Sequence, residues 1–324
     1  MKNIVFIIYL ILLNICAINA QNKHIVLSGI ISEQNSEHIV PYANIGVRGF
    51  AIGTVSNGQG KFEFHIPKKY VNDSLVISCI GYYDYSIAIK DIKNTQSFNI
   101  SLRPRAYFLG EVTIKPKHTV SALEILQHAF KRIPTNYLNK AYLMDGFYRE
   151  YFEENDTFVA FAESAVSIYD DEAYDYKETK TKEAIAINEI RVSDIYNKGD
   201  YVLYIDINYA LRSNILRNAT YWEKYLKKSK YDIIHLGIDS MTYYGNDMVY
   251  CISYEIDSKK KSNYRGKFYV RQNDYAILRI EINTANPSKN QEINGSPYES
   301  RAVLTYKQHE GKMYLNYINA SHKT

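Results

Sequence analysis

Tryptophan occurs once in this chain of 324 residues, and cysteine only three times. Cys16 lies in an apolar leader. Cys79 and Cys251 sit far apart in strand-like runs, LVISCIGY and MVYCISYEI, and read as two separate buried thiols rather than a bridge. An excess of one charge is missing too. The 39 basic and 35 acidic residues leave a net charge of +4, which offers no electrostatic footprint for nucleic acid. No apolar run is long enough to cross a bilayer core of roughly 30 Å as a helix.

Motifs that carry chemistry are equally scarce. A zinc carboxypeptidase needs a histidine three residues before a glutamate, and none of the eight histidines has one. His309 precedes Glu310 directly, but no second histidine stands at helical spacing and the context is a hairpin. No G-x-S-x-G elbow exists for a nucleophilic serine. Asp170, Asp171, Glu172 and Asp175, interleaved with Tyr169, Tyr174 and Tyr176, lack the spacing of a calcium loop and read as a solvated turn. Glu153 and Glu154 are strand neighbours that face opposite ways, so they are no glycosidase pair. Lys259, Lys260 and Lys261 with Arg265 and Lys267 read as a charged hairpin tip able to touch anionic envelope surfaces. No catalytic, cofactor-binding or metal-ligating residue is assigned, and no cofactor is expected.

What is present begins with MKNIVFIIYLILLNICAINA. Lys2, the apolar run from Ile4 to Leu13 and the small residues Ala17 and Ala20 describe a signal peptide over residues 1–20. Cys16 offers a rival reading, an acylated lipoprotein, against which stands the bulky Ile15 before it. Tyrosine is abundant, 32 residues, and suits sheet faces where a half-buried ring keeps its hydroxyl in water.

From residue 23 to residue 116, short alternating runs separated by turns predict a β-sandwich: HIVLSGIIS, YANIGVRG, AIGTVSN, KFEFHIP, SLVISCIGY, YSIAI and FNISL. Between the third and fourth stands Asn57-Gly58-Gln59-Gly60. A phosphate loop would need a helix after it, whereas KFEFHIP alternates with period two. A calcium loop would need carboxylates, and here there are neutral amides. Asn-Gly favours positive φ, so the segment reads as the corner of a β-hairpin.

Gly29, Pro41, Ala43-Asn44, Gly53-Thr54, Gly60, Phe62, Ile80-Gly81-Tyr82 and Leu109-Gly110-Glu111-Val112 follow one another in an order that resembles the carboxypeptidase-like regulatory domain. The resemblance implies an Ig/transthyretin-like β-sandwich that is not catalytic. Such domains stand at the N-termini of many Gram-negative outer-membrane receptors, including TonB-dependent ones, and of other exported proteins. Asn57 stands where that family often has aspartate.

Residues 117–324 read as an α+β domain. Ser121 and Glu124 form a capping box, Leu123, Leu126, Phe130 and Ile133 an apolar stripe, and Pro134 a stop; His128 falls on the exposed side. Long alternating runs follow, AYLMDGFYREYFEE, DTFVAFAESAVSIYDD, YVLYIDI, DMVYCISYEID, RGKFYVRQND, YAILRIEINTA, SRAVLTYKQHE and GKMYLNYINAS, and predict a large antiparallel sheet with one wet and one dry face. ILRNATYWEKYLKKSK reads as a second helix anchored by Trp222. ALEILQHAFKRIPTNY, FYREYF and GKFYVRQNDYAILRIEI make this half similar to uncharacterised bacterial envelope proteins, and its hairpins resemble the half-barrel of periplasmic lipoprotein carriers. Some relatives continue into a β-barrel, for which the pattern ending at Thr324 leaves no room.

The expectation is thus a mainly β, exported, non-enzymatic protein of the periplasm or outer membrane. It would bind an envelope protein or a glycan, with peripheral association to the outer membrane a further expectation. Two alternatives stand beside it: an exported hydrolase with carboxylates in the sheet concavity, and the truncated remnant of a barrel protein.

Overall fold

The computed structural model describes residues 24–105, 120–155, 157–171, 174, 183–193, 207–217, 225–227, 233–256, 263–285 and 299–323. The leader, the linker with Pro116, the Leu109–Val112 exit, Trp222 and Lys259, Lys260 and Lys261 lie outside the described residues. The described chain forms two compact units. The first runs to Arg105 and also takes in Thr242–Asp247; the second holds the remainder.

In the first unit, every alternating run becomes a strand: β1 (His24–Glu33), β2 (Asn44–Val47), β3 (Gly53–Val55), β4 (Lys61–Pro67), β5 (Ser74–Ser78), β6 (Tyr85–Ala88) and β7 (Ile100–Leu102). One sheet has the order β4-β1-β7, with β1 antiparallel to β4 and parallel to β7; the other has the order β3-β2-β5-β6. Leu27 and Ile31 of β1, Phe62, Phe64 and Ile66 of β4, Ile45 of β2, and Leu75 and Ile77 of β5 meet in one core. Each such burial contributes about 1.5–3 kcal/mol. The period-two pattern of KFEFHIP is realised literally: Lys61, Glu63 and His65 face water.

The Asn57–Gly60 corner departs from expectation. β3 and β4 lie in different sheets, so the corner joins no hairpin but carries the chain across the sandwich. Asn57 organises it. Its Oδ1 accepts from the backbone N–H of Gln59 at 2.9 Å and of Lys61 at 3.0 Å. Gly60 has φ +70°, and a Cβ there would meet the Ile31 carbonyl oxygen at 2.6 Å, so both conformation and space demand glycine. Gly29 answers a different need. A Cβ on it would lie 2.0 Å from the Phe98 carbonyl oxygen, where the Phe98 N–H donates to Ser28 O at 2.8 Å.

The turn Thr242–Asp247 completes this unit from far along the chain. Asn44 Nδ2 donates to Tyr244 Oη at 3.1 Å, and the Gly81 N–H donates to Tyr243 O at 2.8 Å. The Arg105 guanidinium lies 4.0 Å from the centre of the Tyr243 ring and donates to Gly245 O.

The second unit opens with helix α1 (Ala122–Lys131), whose capping box between Ser121 and Glu124 is formed in both directions. Its buried face is Ala122, Ile125, Leu126, Ala129 and Phe130, with Leu123 only half buried; His128 is exposed. Pro134 does not stop this helix. Helix α1 ends three residues earlier, and Pro134 lies in the first turn of a short helix α2 (Ile133–Asn136), where a missing N–H costs nothing.

The strands are β8 (Tyr142–Glu154), β9 (Thr157–Asp170), β10 (Ala184–Val192), β11 (Ile234–Tyr244), β12 (Asp247–Ile256), β13 (Asn263–Arg271), β14 (Ile277–Ala285), β15 (Glu299–His309) and β16 (Lys312–Lys323). They form the large antiparallel sheet expected, six strands in the order β11 to β16, and a separate sheet β10-β9-β8. The alternating runs did not mark β10 or β11. A third helix, α3 (Ile207–Arg212), precedes the stretch read as helical; Ile215–Arg217 is a turn. Helix α3 supplies Ile207 and Leu211 to a core with Val166 and Ile168 of β9. Phe130 of α1 meets Phe268 of β13 edge to face, with ring centroids 6.0 Å apart.

Tyrosine behaves differently from the half-buried expectation at several places, Tyr42 and Tyr254 among them. Tyr137, Tyr174 and Tyr306 are among the largest fully buried side chains. Their hydroxyls find partners inside: Tyr137 Oη donates to Ile277 O at 2.6 Å, Tyr306 Oη to Asn214 Oδ1 at 2.7 Å, and Asn214 Nδ2 donates to Tyr174 Oη at 3.1 Å. Cys79 and Cys251 are buried free thiols.

Candidate functional site

The β10-β9-β8 sheet has one covered and one open face. Cross-strand pairing puts Tyr142–Asp170, Met144–Ile168 and Gly146–Val166 on the covered side. The opposite side carries Leu143, Asp145, Phe147, Arg149 and Tyr151 along β8. Leu143 is 69% exposed, Phe147 65% and Phe158 60%. Tyr151 and Tyr169 are also exposed, and Tyr151 packs edge to face on Phe158 at 5.0 Å. Apolar and charged side chains thus alternate along the open face of β8. Phe147 and Tyr151, four residues apart, stand about 13 Å from each other.

Glu163 of β9 lies at the centre of this face. It accepts from Arg149 Nε at 2.7 Å and from the guanidinium of Arg191 on β10. Burial alone would raise its pKa; the hydrogen bonds from Arg191 and Arg149 outweigh that and hold it below the usual glutamate range. The two guanidinium groups also lie near aromatic rings, Arg149 at 5.5 Å from Phe147 and Arg191 at 5.6 Å from Phe161. Beside them Ser167 Oγ donates to Asp145 Oδ1 at 2.7 Å and accepts from Asn188 Nδ2 at 2.8 Å. The face is therefore a fixed array of aromatic, guanidinium and carboxylate groups on a sheet whose other side packs into a core around Val166 and Ile168 of β9.

The polar face of the six-stranded sheet is the place where carboxylates of a hydrolase would gather. A shallow groove of about 390 Å³ there is lined by His235, Ser253, Glu255, Arg265, Lys267 and Glu281, among others. Its neighbour Asp239 accepts from Ser253 Oγ at 2.7 Å and pairs with Lys267 at 3.0 Å. Those two contacts depress the Asp239 pKa, and the bond to Asp239 raises that of Lys267. Glu281 pairs with Arg279 at 2.8 Å and accepts from Tyr269 Oη at 3.1 Å. Asp239 and Glu281 are thus each tied to a cation and a hydroxyl. Lys267, expected at a charged tip with Arg265, is instead mid-strand and paired.

Other residues singled out in the sequence fall as follows. His309 and Glu310 flank the β15–β16 turn, 3.9 Å apart, in the hairpin context expected. Glu153 and Glu154 are exposed beyond a register shift at Phe152. Asp170 is a correction. It is fully buried rather than solvated, and both its oxygens meet Arg217, at 3.0 and 3.1 Å, while Glu183 pairs with the same guanidinium. Tyr174 is buried beside it, whereas Tyr169 is on the open face and Asp171 is exposed; Glu172, Asp175 and Tyr176 lie outside the described residues. Among the described residues no three His, Cys, Asp or Glu side chains gather as metal ligands would. Sequence reasoning did not find the Arg149–Glu163–Arg191 cluster, because its members are 14 and 28 residues apart and meet only through strand register.

Comparison with known proteins agrees with the N-terminal resemblance: residues 27–114 match the family of the CarboxypepD_reg-like domain. Among curated proteins none matches the chain. Of solved structures, one from Bacteroides fragilis, a protein of unknown function thought to be membrane-associated, aligns over 93% of this chain and 99% of its own. Its identity is 12% and its TM-score 0.20, values that carry no inference about function.

Proposed function

We propose that this is a non-enzymatic, exported envelope protein whose second unit binds another envelope protein through the open face of the β10-β9-β8 sheet. The observation that carries this reading is the exposure of Leu143, Phe147, Tyr151, Phe158 and Tyr169 on one face of a sheet packed on its other side. Large apolar side chains exposed on one sheet face and interleaved with polar and charged groups mark an interaction surface. Aromatic residues and arginine are also the types enriched at the cores of protein interfaces. Internal pairing of Glu163 with Arg149 and Arg191 lowers the cost of desolvating the charges at the centre.

Export rests on the leader reading and on the company that the N-terminal domain keeps in envelope proteins. Asp239, whose pKa Ser253 and Lys267 lower, is unsuited to act as a general acid. A photocrosslinking residue placed at Phe147 in intact cells tests the proposal. It should capture a specific exported protein, identified by mass spectrometry, and Tyr151→Ala should weaken that capture in a chain that still folds. Binding of this face to glycans alone, or turnover abolished by Asp239→Asn, would overturn it.

A further inference from the structure

The sheet of the open face ends, among the described residues, at strand β10. Strand β10 pairs with β9 on one side and, among the described residues, with no strand on the other. It is exposed along nearly its whole length, with Ile187 at 51%, Ile190 at 52% and Val192 at 37%. An edge strand of this kind, free of proline and lysine and apolar on one side, is a template for another strand.

Its register says which groups face outward. The Ser193 N–H donates to Phe161 O at 2.9 Å, so the odd residues at this end of β10 turn their backbone groups toward β9. Ile190 and Val192, of opposite parity, therefore direct N–H and C=O away from the sheet. A register shift between Ile187 and Glu189 makes Asn188 the extra residue and leaves the segment beyond it regular.

We infer that β10 pairs with the β10 of a second copy of this chain, antiparallel and about a two-fold axis at Ile190. Charge complementarity selects both the occupant and the register. With Ile190 opposite its own counterpart, Glu189 of each copy faces the partner's Arg191, twice by symmetry. Glu189 and Arg191 share the open face, opposite Ala165 and Glu163. Because Ile190 offers the outward hydrogen bonds, Glu189 and Arg191 fall at the non-hydrogen-bonded positions, where side chains of facing strands come closest. The two Ile190 side chains meet on the opposite face. The bulge at Asn188 confines the pairing to a short segment, so the dimer is concentration-dependent. This inference does not depend on what the open face binds.

The test is sedimentation velocity on the purified chain across a wide concentration series, combined with charge reversal. The wild type should shift from monomer to dimer as concentration rises. Glu189→Arg and Arg191→Glu should each stay monomeric alone, since each brings like charges together twice. An equimolar mixture of the two variants should dimerise again, because both cross-strand pairs are then restored. Ile190→Lys, which leaves the charges untouched, should also be monomeric, with an unchanged circular dichroism spectrum. A wild type that stays monomeric throughout, or a dimer indifferent to both reversals, would overturn the inference, as would a mixture that fails to associate while both variants remain folded.

Discussion

Arg149 donates from Nε to Oε1 of Glu163 at 2.7 Å, across the register that also sets Phe147 opposite Ala165. With Arg191 on the other carboxylate oxygen, the pair locks three strands together at the centre of the open face. Glu163→Gln should cost about 1–2 kcal/mol at neutral pH, a value kept low by the exposure of both arginines. The sign of the pH dependence follows from the depressed pKa: the stabilisation is complete above the ordinary glutamate range and is lost as pH falls through the folded value. Urea midpoints of wild type and variant should therefore draw together as pH falls below the ordinary glutamate pKa of about 4.3.

Arg217 faces two buried carboxylates, Asp170 and Glu183. Arg217→Met keeps much of the volume and removes the cation, leaving both acids in the interior. Denaturant unfolding at neutral pH should show a loss of about 3–5 kcal/mol. A loss under about 1 kcal/mol would mean that the site is wet enough to solvate both acids.

The Asn57 corner offers a contrast between two small changes. Asn57→Ala removes the acceptor of the Gln59 and Lys61 amides and should cost about 1–2 kcal/mol. Asn57→Asp retains that acceptor and should be close to neutral by thermal unfolding. Equal losses would show that the side-chain amide, rather than its oxygen, holds the corner.

Tyr244 Oη lies between Asn44 Nδ2 at 3.1 Å and Ser78 Oγ at 3.3 Å. Tyr244→Phe keeps the ring and deletes these bonds, for a loss of about 1 kcal/mol. Hydrogen exchange should report that loss at Asn44 and Ser78, about 200 and 166 residues away in sequence. Exchange unchanged there would disprove the contact.

Phe130 and Phe147 separate stability from binding. Phe130, 1% exposed on α1, should cost about 3–5 kcal/mol on truncation to alanine. Phe147→Ala, at an exposed position, should change unfolding by no more than about 0.5 kcal/mol. A large loss at Phe147 would place it in the core and remove it from the open face.

Local chemistry made much of this protein legible in its sequence. The strands of the N-terminal sandwich stand where the short apolar runs place them, and in β4 and β5 pleat geometry turns period two into a buried face. The α1 cap was readable from Ser121 and Glu124, since its partners are three residues apart. At the corner, positive φ falls on Gly60 and not on Asn57 or Gly58, where the Asn-Gly pair suggested it.

Tertiary structure decided what depends on distant partners. Alternation marks a strand but not its sheet, so the destination of β4 across the sandwich was invisible. Asp170 looked like one acid among several until Arg217 and Glu183 closed over it, because burial is set by what packs on top. Thr242–Asp247 became part of a sandwich whose strands end by residue 102, joined by hydrogen bonds no local pattern encodes. The open aromatic face, finally, exists only through register. A shift of one residue between β8 and β9 would scatter Phe147, Arg149 and Glu163 over both sides of the sheet.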